Sequence, residues 1–389
     1  ITGSKSESNR VLLLQALYKG LKINNLSNSD DSQLMQAALA SDSSTVDIHH
    51  AGTAMRFLTA YFATRSGTTT TLTGSSRMQE RPIKILVEAL NSLGASITYT
   101  KNEGYPPLLI EGKSLTDNKV YLKANVSSQY ISALLLIAPT LSKGLSLYLE
   151  GKITSVPYIK MTLSLLEELG VQTAFDGQII SVLPFAEDIN KTFTVESDWS
   201  SASYFYSIVA LSPIGTQIDL SAYKPNSLQG DAVLKNIYKE LGVESSFNET
   251  TLSLKKLAEP QSKQLTLDLA NAPDIAQTIA VTCLGLEIGC NLTGLHTLKI
   301  KETDRLVALQ NEIKKLGTSI EITDNSLHLK SPNKLNSSIH IATYNDHRMA
   351  MAFAPLGLKT QLFIDDADVV SKSYPDFWSD LSALGFELN

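Results

Sequence analysis

Residues 86–100 read LVEALNSLGASITYT, an amphipathic run that ends in Leu-Gly and passes into a short alternating stretch. Apolar residues at helical spacing before Gly94, and alternation after it, predict a helix stopped by glycine and followed by a strand. The same phrase returns as TLSLLEELGVQTAF (162–175), LKNIYKELGVESSF (234–247), LQNEIKKLGTSIEI (309–322) and FWSDLSALGFELN (377–389). Its glycines, Gly94, Gly170, Gly242, Gly317 and Gly385, stand 76, 72, 75 and 68 residues apart. The chain before Gly94 has room for one more copy, for which DDSQLMQAALASDS (30–43) supplies a helix. This predicts six units of about 70 residues, each long enough for two helices and several strands.

Most units also carry an earlier, more apolar helix: AMRFLTAYFATR (54–65), SSQYISALLLIAPTL (127–141), SSASYFYSIVALS (200–212), DIAQTIAVTCLGL (274–286) and HRMAMAFAPLGL (347–358). Helices that are apolar on most faces are buried. The expected architecture is therefore α/β, with these helices inside and the amphipathic helices and sheets outside. A polar cluster precedes nearly every buried helix: SKSESNR, HAGTAMR, VSSQY, SDWSSAS, APD and YNDHR. A regular repeat brings equivalent positions to one region, so the clusters should converge.

At 389 residues the chain suggests two domains, and 43% hydrophobic with 19% charged residues marks it as foldable throughout. A net charge of -6 argues against general nucleic-acid binding, which needs clustered cations. No apolar stretch reaches the length of a membrane span, and no signal peptide precedes Gly3. Cys283 and Cys290, the only cysteines, lie in an apolar helical pattern, which favours core packing and a reducing cytoplasm. Of 33 basic residues only seven are arginine, and none lies between Arg81 and Arg305. Lysine carries the general surface charge, which leaves arginine for sites that use its planar fork on carboxylate or phosphate.

GSKSESNR places Lys5, Ser6 and Arg10 at a helix entrance, where positive charge is unfavourable without an anion. Either a phosphate or carboxylate binds there, or the serines cap while Lys5 and Arg10 stand in water. Gly52 and Thr53 open another helix, as an anion site or a simple glycine start. Arg81, before Pro82, points at a ligand or pairs with Glu80; Ser127, Ser128 and Gln129 offer neutral donors or a serine cap. In KETDR, Lys301 and Arg305 are i and i+4, hence on one helix face, where they repel unless an anion or Glu302 lies between them or they belong to a solvated charge ladder. Asp274 is an N-cap or, among cations, an ionised base; Asp346, His347 and Arg348 enter a Met/Ala helix, and Lys372 sits in a short loop. Converging, these cations make a pocket for one or two small polyanions, with Asp274 and Glu302 as an acid/base pair. A nucleophilic triad, a Walker loop, GxGxxG and metal-ligand spacing are missing, so the expected chemistry uses no cofactor and no metal.

Taken in order, GSKSESNR, AGTAMR, ERP, SSQ, SVPY, SSAS, PD, KETDR, NDHRMAM and KSYPD resemble the 3-phosphoshikimate 1-carboxyvinyltransferase (EPSP synthase) family of enolpyruvyl transferases, from residue 2 to about 380. The resemblance implies transfer of an enolpyruvyl group from phosphoenolpyruvate to the 5-hydroxyl of shikimate 3-phosphate, by addition and elimination, in the shikimate route to aromatic amino acids. It implies a two-lobed fold of six βαβαββ-type repeats, three per lobe, around buried parallel helices. One lobe is expected at residues 4–196 and the other at 1–3 plus 197–389, with the active site in the cleft between them. Lys5, Ser6, Arg10, Ser127, Ser128, Gln129, Ser155, Tyr158, Asp274 and Lys301 are similar to shikimate 3-phosphate contacts. Lys5, Gly52, Arg81, Gln129, Arg305, His347, Arg348 and Lys372 resemble phosphoenolpyruvate contacts, and Lys5, Asp274 and Glu302 the catalytic groups. A cytoplasmic monomer without nucleic-acid or membrane partners is implied.

The chain departs from the family at His50 and Thr297, where asparagine is common, and at Phe57, where proline is. These departures bear on glyphosate sensitivity, which Gly52 otherwise suggests. The family's usual first strand is missing before Gly3, for which a trimmed or partly disordered N-terminus is the expected cause. Two rivals are UDP-N-acetylglucosamine enolpyruvyl transferase, disfavoured because Cys283 and Cys290 lie in a buried helix pattern rather than a mobile loop, and an RNA 3′-terminal phosphate cyclase, disfavoured by the acidic charge.

Overall fold

The computed structural model describes residues 1–123, 127–151, 153, 156–187, 189–332 and 334–388. Twelve α-helices among the described residues form six consecutive pairs. In the unit Gly3–Val195 these are α1 (Lys5–Leu17) with α2 (Asp30–Leu39), α3 (Gly52–Ala63) with α4 (Lys84–Ser92), and α5 (Ser128–Ile137) with α6 (Val156–Glu168). The second unit, Ile1–Thr2 with Glu196–Asn389, holds α7 (Trp199–Leu211) with α8 (Leu234–Glu240), α9 (Ala276–Gly285) with α10 (Arg305–Lys315), and α11 (His347–Phe353) with α12 (Phe377–Ala383). The first helix of each pair is buried and the second amphipathic. All five repeated glycines follow the amphipathic helix with positive φ, from 84° at Gly242 to 102° at Gly94, a conformation that a Cβ would penalise.

Three of the repeats share one complete sheet order, two parallel strands followed by an antiparallel pair. In the second repeat, Thr45–Asp47 runs parallel to Thr69–Thr73, which pairs antiparallel with Leu108–Glu111 and then Ser96–Tyr99. Sheets of the same order begin with Lys119–Lys123 and with Gln264–Asp268. A helix joins each parallel pair, as a crossover connection requires. The remaining repeats are shorter. Leu21–Asn24 pairs parallel with Lys191–Thr194 from the far end of its unit, so that unit closes on itself through its first and last strands. Gly3 is needed at that closure, because a Cβ there would meet the Asn25 carbonyl oxygen at 1.9 Å.

The buried helices of one unit run in the same direction. Between α7 and α9, Ser203 meets Thr278 at 3.0 Å and Ser207 meets Thr282 at 2.8 Å. Both partners advance by four residues, one turn, so the helices are parallel. Small hydroxyl side chains permit this close approach, and Thr282 also donates back to the Thr278 carbonyl at 2.7 Å. Cys283 and Cys290 are buried, free thiols in this core.

One buried cation holds the same unit's scaffold. Lys256, in strand Thr251–Lys256, is 0% exposed, and its Nζ donates to the Ala210 carbonyl at 2.9 Å and the Leu241 carbonyl at 3.1 Å. These carbonyls lie at the C-terminal ends of α7 and α8, where main-chain acceptors lack helical partners and favour positive charge. Lys256→Met leaves both unpaired, and we expect a loss of about 2 kcal/mol. A urea titration of this unit's unfolding reads that as a lower midpoint; an unshifted midpoint rules out the helix-capping role.

Candidate active site

In the Gly3–Val195 unit, Ser4 is the N-cap of α1 but its side chain makes no capping hydrogen bond, so serine capping does not explain the first cluster. Nor does Arg10 stand in water. It is 2% exposed, donating from Nε to Thr162 Oγ1 (2.8 Å), from Nη2 to Ser132 Oγ (2.9 Å) and from Nη1 to the Ser6 carbonyl (2.6 Å). The Phe57 and Tyr158 rings lie 5.3 and 5.9 Å from its guanidinium carbon. Burial lowers the Arg10 pKa to about 10 against the pull of Tyr158 and Glu7, so it stays charged at neutral pH. Thr162, Ser132 and Phe57 all sit in the second turn of their helices, as Arg10 does in α1. The N-terminal ends of α1, α3, α5 and α6 therefore lie side by side.

Lys5, one turn before Arg10, is 3.8 Å from Asp31 at the start of α2, and His50 Nε2 is 3.8 Å from the other Asp31 oxygen. Ser8 and Asn9 of the same motif are structural. Ser8 Oγ accepts from the Ser27 amide at 2.9 Å, and Asn9 Oδ1 accepts from Ser32 Oγ at 2.9 Å.

Gly52 and Arg81 meet here. A Cβ on Gly52 would lie 2.4 Å from Arg81 Nη1, so only glycine lets that guanidinium rest on the start of α3. Glu80 pairs instead with Arg77, at 3.0 Å. Arg56 fixes the arrangement from inside: 4% exposed, it donates to the Gly52 carbonyl and to the Pro82 carbonyl, each at 3.1 Å. Tyr130 Oη donates to the same Pro82 carbonyl at 2.6 Å. Burial, and next the Arg81 charge, lower the Arg56 pKa to about 10 against Tyr130. Among the described residues no carboxylate forms an ion pair with Arg56 or Arg81. Gln129 Nε2 reaches Thr53 Oγ1 at 3.2 Å, while Ser127 caps α5 by accepting the Gln129 amide at 3.4 Å. Ser6, Ser128 and Tyr158 are half-buried around these groups, and Ser155 lies outside the described residues.

The Glu196–Asn389 unit solves its charge problem the opposite way, with carboxylates. Arg305, 2% exposed, donates from Nε to Asp346 (2.6 Å), from Nη1 to Asp274 (2.8 Å) and from Nη2 to Glu302 (2.8 Å). Lys301 Nζ is 3.3 Å and Arg348 Nη2 3.8 Å from the Asp274 carboxylate. Burial alone would raise the Asp274 pKa. Lys301, Arg348 and Arg305 outweigh it and hold the group well below the usual carboxylate range. Asp274 is thus no helix cap; it lies in a short 3-10 turn, Pro273–Ile275, before α9.

The i, i+4 relation of Lys301 and Arg305 on one helix face is overturned. Asp304 caps α10 by accepting the Leu306 and Val307 amides at 3.2 Å, so the helix starts at Arg305 and Lys301 precedes it in a non-helical conformation. The two cations meet through Asp274 instead. Asp346 accepts the Arg348 amide at 2.9 Å at the start of α11, with His347 2% exposed and 3.9 Å away. Lys372 Nζ donates to the Asn345 carbonyl at 2.7 Å. Tyr344 and Asn345, just before this group, have φ of 54° and 56°. Non-glycine residues in that region cost about 1–3 kcal/mol each and persist only where surrounding contacts enforce them.

Asp31, Arg56, Tyr130 and Asp231 join the candidate site through these contacts, and sequence spacing did not single them out. Asp231, 4% exposed, accepts from Ser200 Oγ, which in turn lies 3.4 Å from Arg348 Nη2. Burial and the Asp274 charge push its pKa up to about 6. Only its place in QGD, between a short loop and a helix, marked it. Among the described residues no group of His, Cys, Asp and Glu has the geometry to hold a metal ion.

Arg10, Arg56 and Arg81, which form no carboxylate ion pair among the described residues of one unit, and an ionised Asp274 with a 30% exposed Glu302 in the other, have the charges to bind phosphate and carboxylate groups and to move protons beside them. Comparison with known proteins agrees. A family profile described as EPSP synthase (3-phosphoshikimate 1-carboxyvinyltransferase) matches residues 38–381. A 3-phosphoshikimate 1-carboxyvinyltransferase of Bacteroides fragilis is 48% identical over 391 residues, covering 99% of this chain and 94% of that protein. One from Photobacterium damsela subsp. piscicida is 34% identical over 414 residues, covering 99% and 96%. The solved EPSP synthase of Acinetobacter baumannii superposes with a TM-score of 0.80 at 20% identity, over 98% of this chain and 94% of that one, and shares the fold. With a family profile over residues 38–381 and a relative 48% identical over nearly its whole length, the chain belongs to the EPSP synthase (3-phosphoshikimate 1-carboxyvinyltransferase) family.

Proposed function

We infer that this enzyme moves the enolpyruvyl group of phosphoenolpyruvate onto the 5-hydroxyl of shikimate 3-phosphate and releases phosphate, a step of aromatic amino acid biosynthesis. The observation that carries the residue assignment is Asp274, an ionised carboxylate among Lys301, Arg305 and Arg348 with Glu302 beside it. In our reading residues of each unit hold the substrates. Ser6, Arg10, Ser127, Ser128, Gln129, Ser155, Tyr158 and Lys301 hold shikimate 3-phosphate. Gly52, Arg81, Gln129, Arg305, His347, Arg348 and Lys372 hold phosphoenolpyruvate, and Lys5 touches both.

Addition needs a proton on the methylene carbon and loss of one from the hydroxyl as its oxygen bonds to the central carbon. Elimination reverses the carbon protonation and expels phosphate. Asp274 takes the hydroxyl proton and returns it to the departing phosphate. Three cations hold Asp274 acidic, and anions that bind to those cations share them and raise its basicity. Glu302 gives the proton to the methylene carbon and takes one back. Lys5, held by Asp31, balances charge at the tetrahedral centre. The cytoplasm, where Cys283 and Cys290 stay reduced, and a monomeric state complete the reading; no helix among the described residues is long and apolar enough to cross a membrane.

Phosphate release with phosphoenolpyruvate should require shikimate 3-phosphate and fail with UDP-N-acetylglucosamine; the reverse pattern sinks the assignment. Glu302→Gln should bind shikimate 3-phosphate normally by titration calorimetry while turnover falls about 10²-fold or more. Near-normal turnover removes Glu302 from the proton path. Gly52→Ala must displace the Arg81 guanidinium, so steady-state kinetics should show KM for phosphoenolpyruvate about tenfold higher, the loss of roughly 1.4 kcal/mol, with KM for shikimate 3-phosphate little changed. Equal changes in both would contradict the assignment of Arg81 to phosphoenolpyruvate.

A further inference from the structure

Glu312 is a carboxylate that the reaction does not use, yet it is 0% exposed. It sits on α10 seven residues after Arg305, about two turns on and therefore on the same face. Its Oε1 accepts from Tyr344 Oη at 2.7 Å, and its Oε2 accepts from the Ala342 amide at 3.1 Å and from Lys315 Nζ at 2.6 Å. At the other end of that face, Arg305 grips Asp346 through Nε and Nη2, at 2.6 and 3.4 Å. One helix face thus clamps residues 342–346 at both ends.

The clamped segment is the left-handed turn at Tyr344 and Asn345, a conformation that a tyrosine does not adopt unless neighbours enforce it. Two of the cations assigned to phosphoenolpyruvate depend on it. Lys372 donates to the Asn345 carbonyl, and Arg348 lies in the first turn of α11, three residues beyond Asn345, its amide bound by Asp346. Relaxing Tyr344 to an extended conformation would re-aim the Asn345 carbonyl and shift the start of α11 together.

We propose that Glu312 is a positioning residue for phosphoenolpyruvate, and that with Tyr344 it holds the turn that aims Lys372 and Arg348. A buried carboxylate suits the task because it accepts from a hydroxyl, a main-chain amide and an ammonium at once. Glutamine has one acceptor atom and one donor there, so it cannot reproduce the set. Lys315, 42% exposed, balances the charge from the solvent side and also donates to the His340 carbonyl at 3.1 Å.

The inference rests on the assignment of Lys372 and Arg348 to phosphoenolpyruvate, and the kinetics separate the two. Tyr344→Phe removes one hydroxyl from a partly exposed ring and should fold; Glu312→Gln removes the charge. Each should raise KM for phosphoenolpyruvate about tenfold, the loss of one charged hydrogen bond, and leave KM for shikimate 3-phosphate within about twofold. Parallel rises in both KM values, or a fall in thermal midpoint with unchanged kinetics, would make Glu312 merely structural and overturn the proposal. Arg348→Ala and Lys372→Ala report on the assignment itself. If they leave KM for phosphoenolpyruvate unchanged, the assignment fails. If they raise it while Glu312→Gln and Tyr344→Phe do not, the positioning role alone fails.

Discussion

Arg305 enters α10 almost wholly buried, and a cation so placed is stable only with its charge neutralised and its donors filled. Asp274, Glu302 and Asp346 do this, and they come from three places: the turn before α9, the loop before α10 and the start of α11. One guanidinium therefore fixes the mutual positions of Asp274, Glu302 and the start of the helix that carries His347 and Arg348. With Lys301 and Arg348, Arg305 balances the three carboxylates, so removal of any one carboxylate would leave net positive charge; removal of Arg305 would leave carboxylates repelling one another. Interdependence of this kind keeps Asp274 ionised and Glu302 oriented without a bound substrate.

The Gly3–Val195 unit takes the other course. Arg10 is held by hydroxyl and carbonyl oxygens, Arg56 by carbonyls, and Arg81 lies against a glycine. Neutral oxygens satisfy the N–H donors but do not neutralise Arg56 and Arg81, so this half retains attraction for anions. Its helix N-terminal ends, which meet around Arg10, add to that attraction. A reaction that joins two anionic substrates needs both designs: excess positive charge to hold them, and an ionised carboxylate among cations to move protons.

Much of this was legible in the chain. The five Leu-Gly phrases marked amphipathic helices, and each glycine has the positive φ expected at a helix end. Lys5, Arg10, Gly52, Arg81, Asp274, Glu302, Arg305 and Arg348 stood out as charges or glycines at helix entrances. What escaped notice were groups whose role arises from partners distant in sequence. Arg56 looked like an ordinary residue inside a buried helix until its carbonyl partners, Gly52 and Pro82, were seen. Glu312 looked like a charge on an amphipathic helix, yet it is buried against a turn thirty residues later.

By itself the sequence determined the repeat, the helix ends and the kinds of residue gathered near them, because helix termination and apolar periodicity depend on neighbours a few positions away. Only the tertiary structure decided which charges pair. Lys301 and Arg305 looked like partners on one helix face, but Asp304 caps the helix between them and Asp274 joins them from 27 and 31 residues away. Burial decides such pairings, since a desolvated charge must take whichever counter-charge the fold brings within reach, and that depends on the packing of whole helices rather than on local spacing.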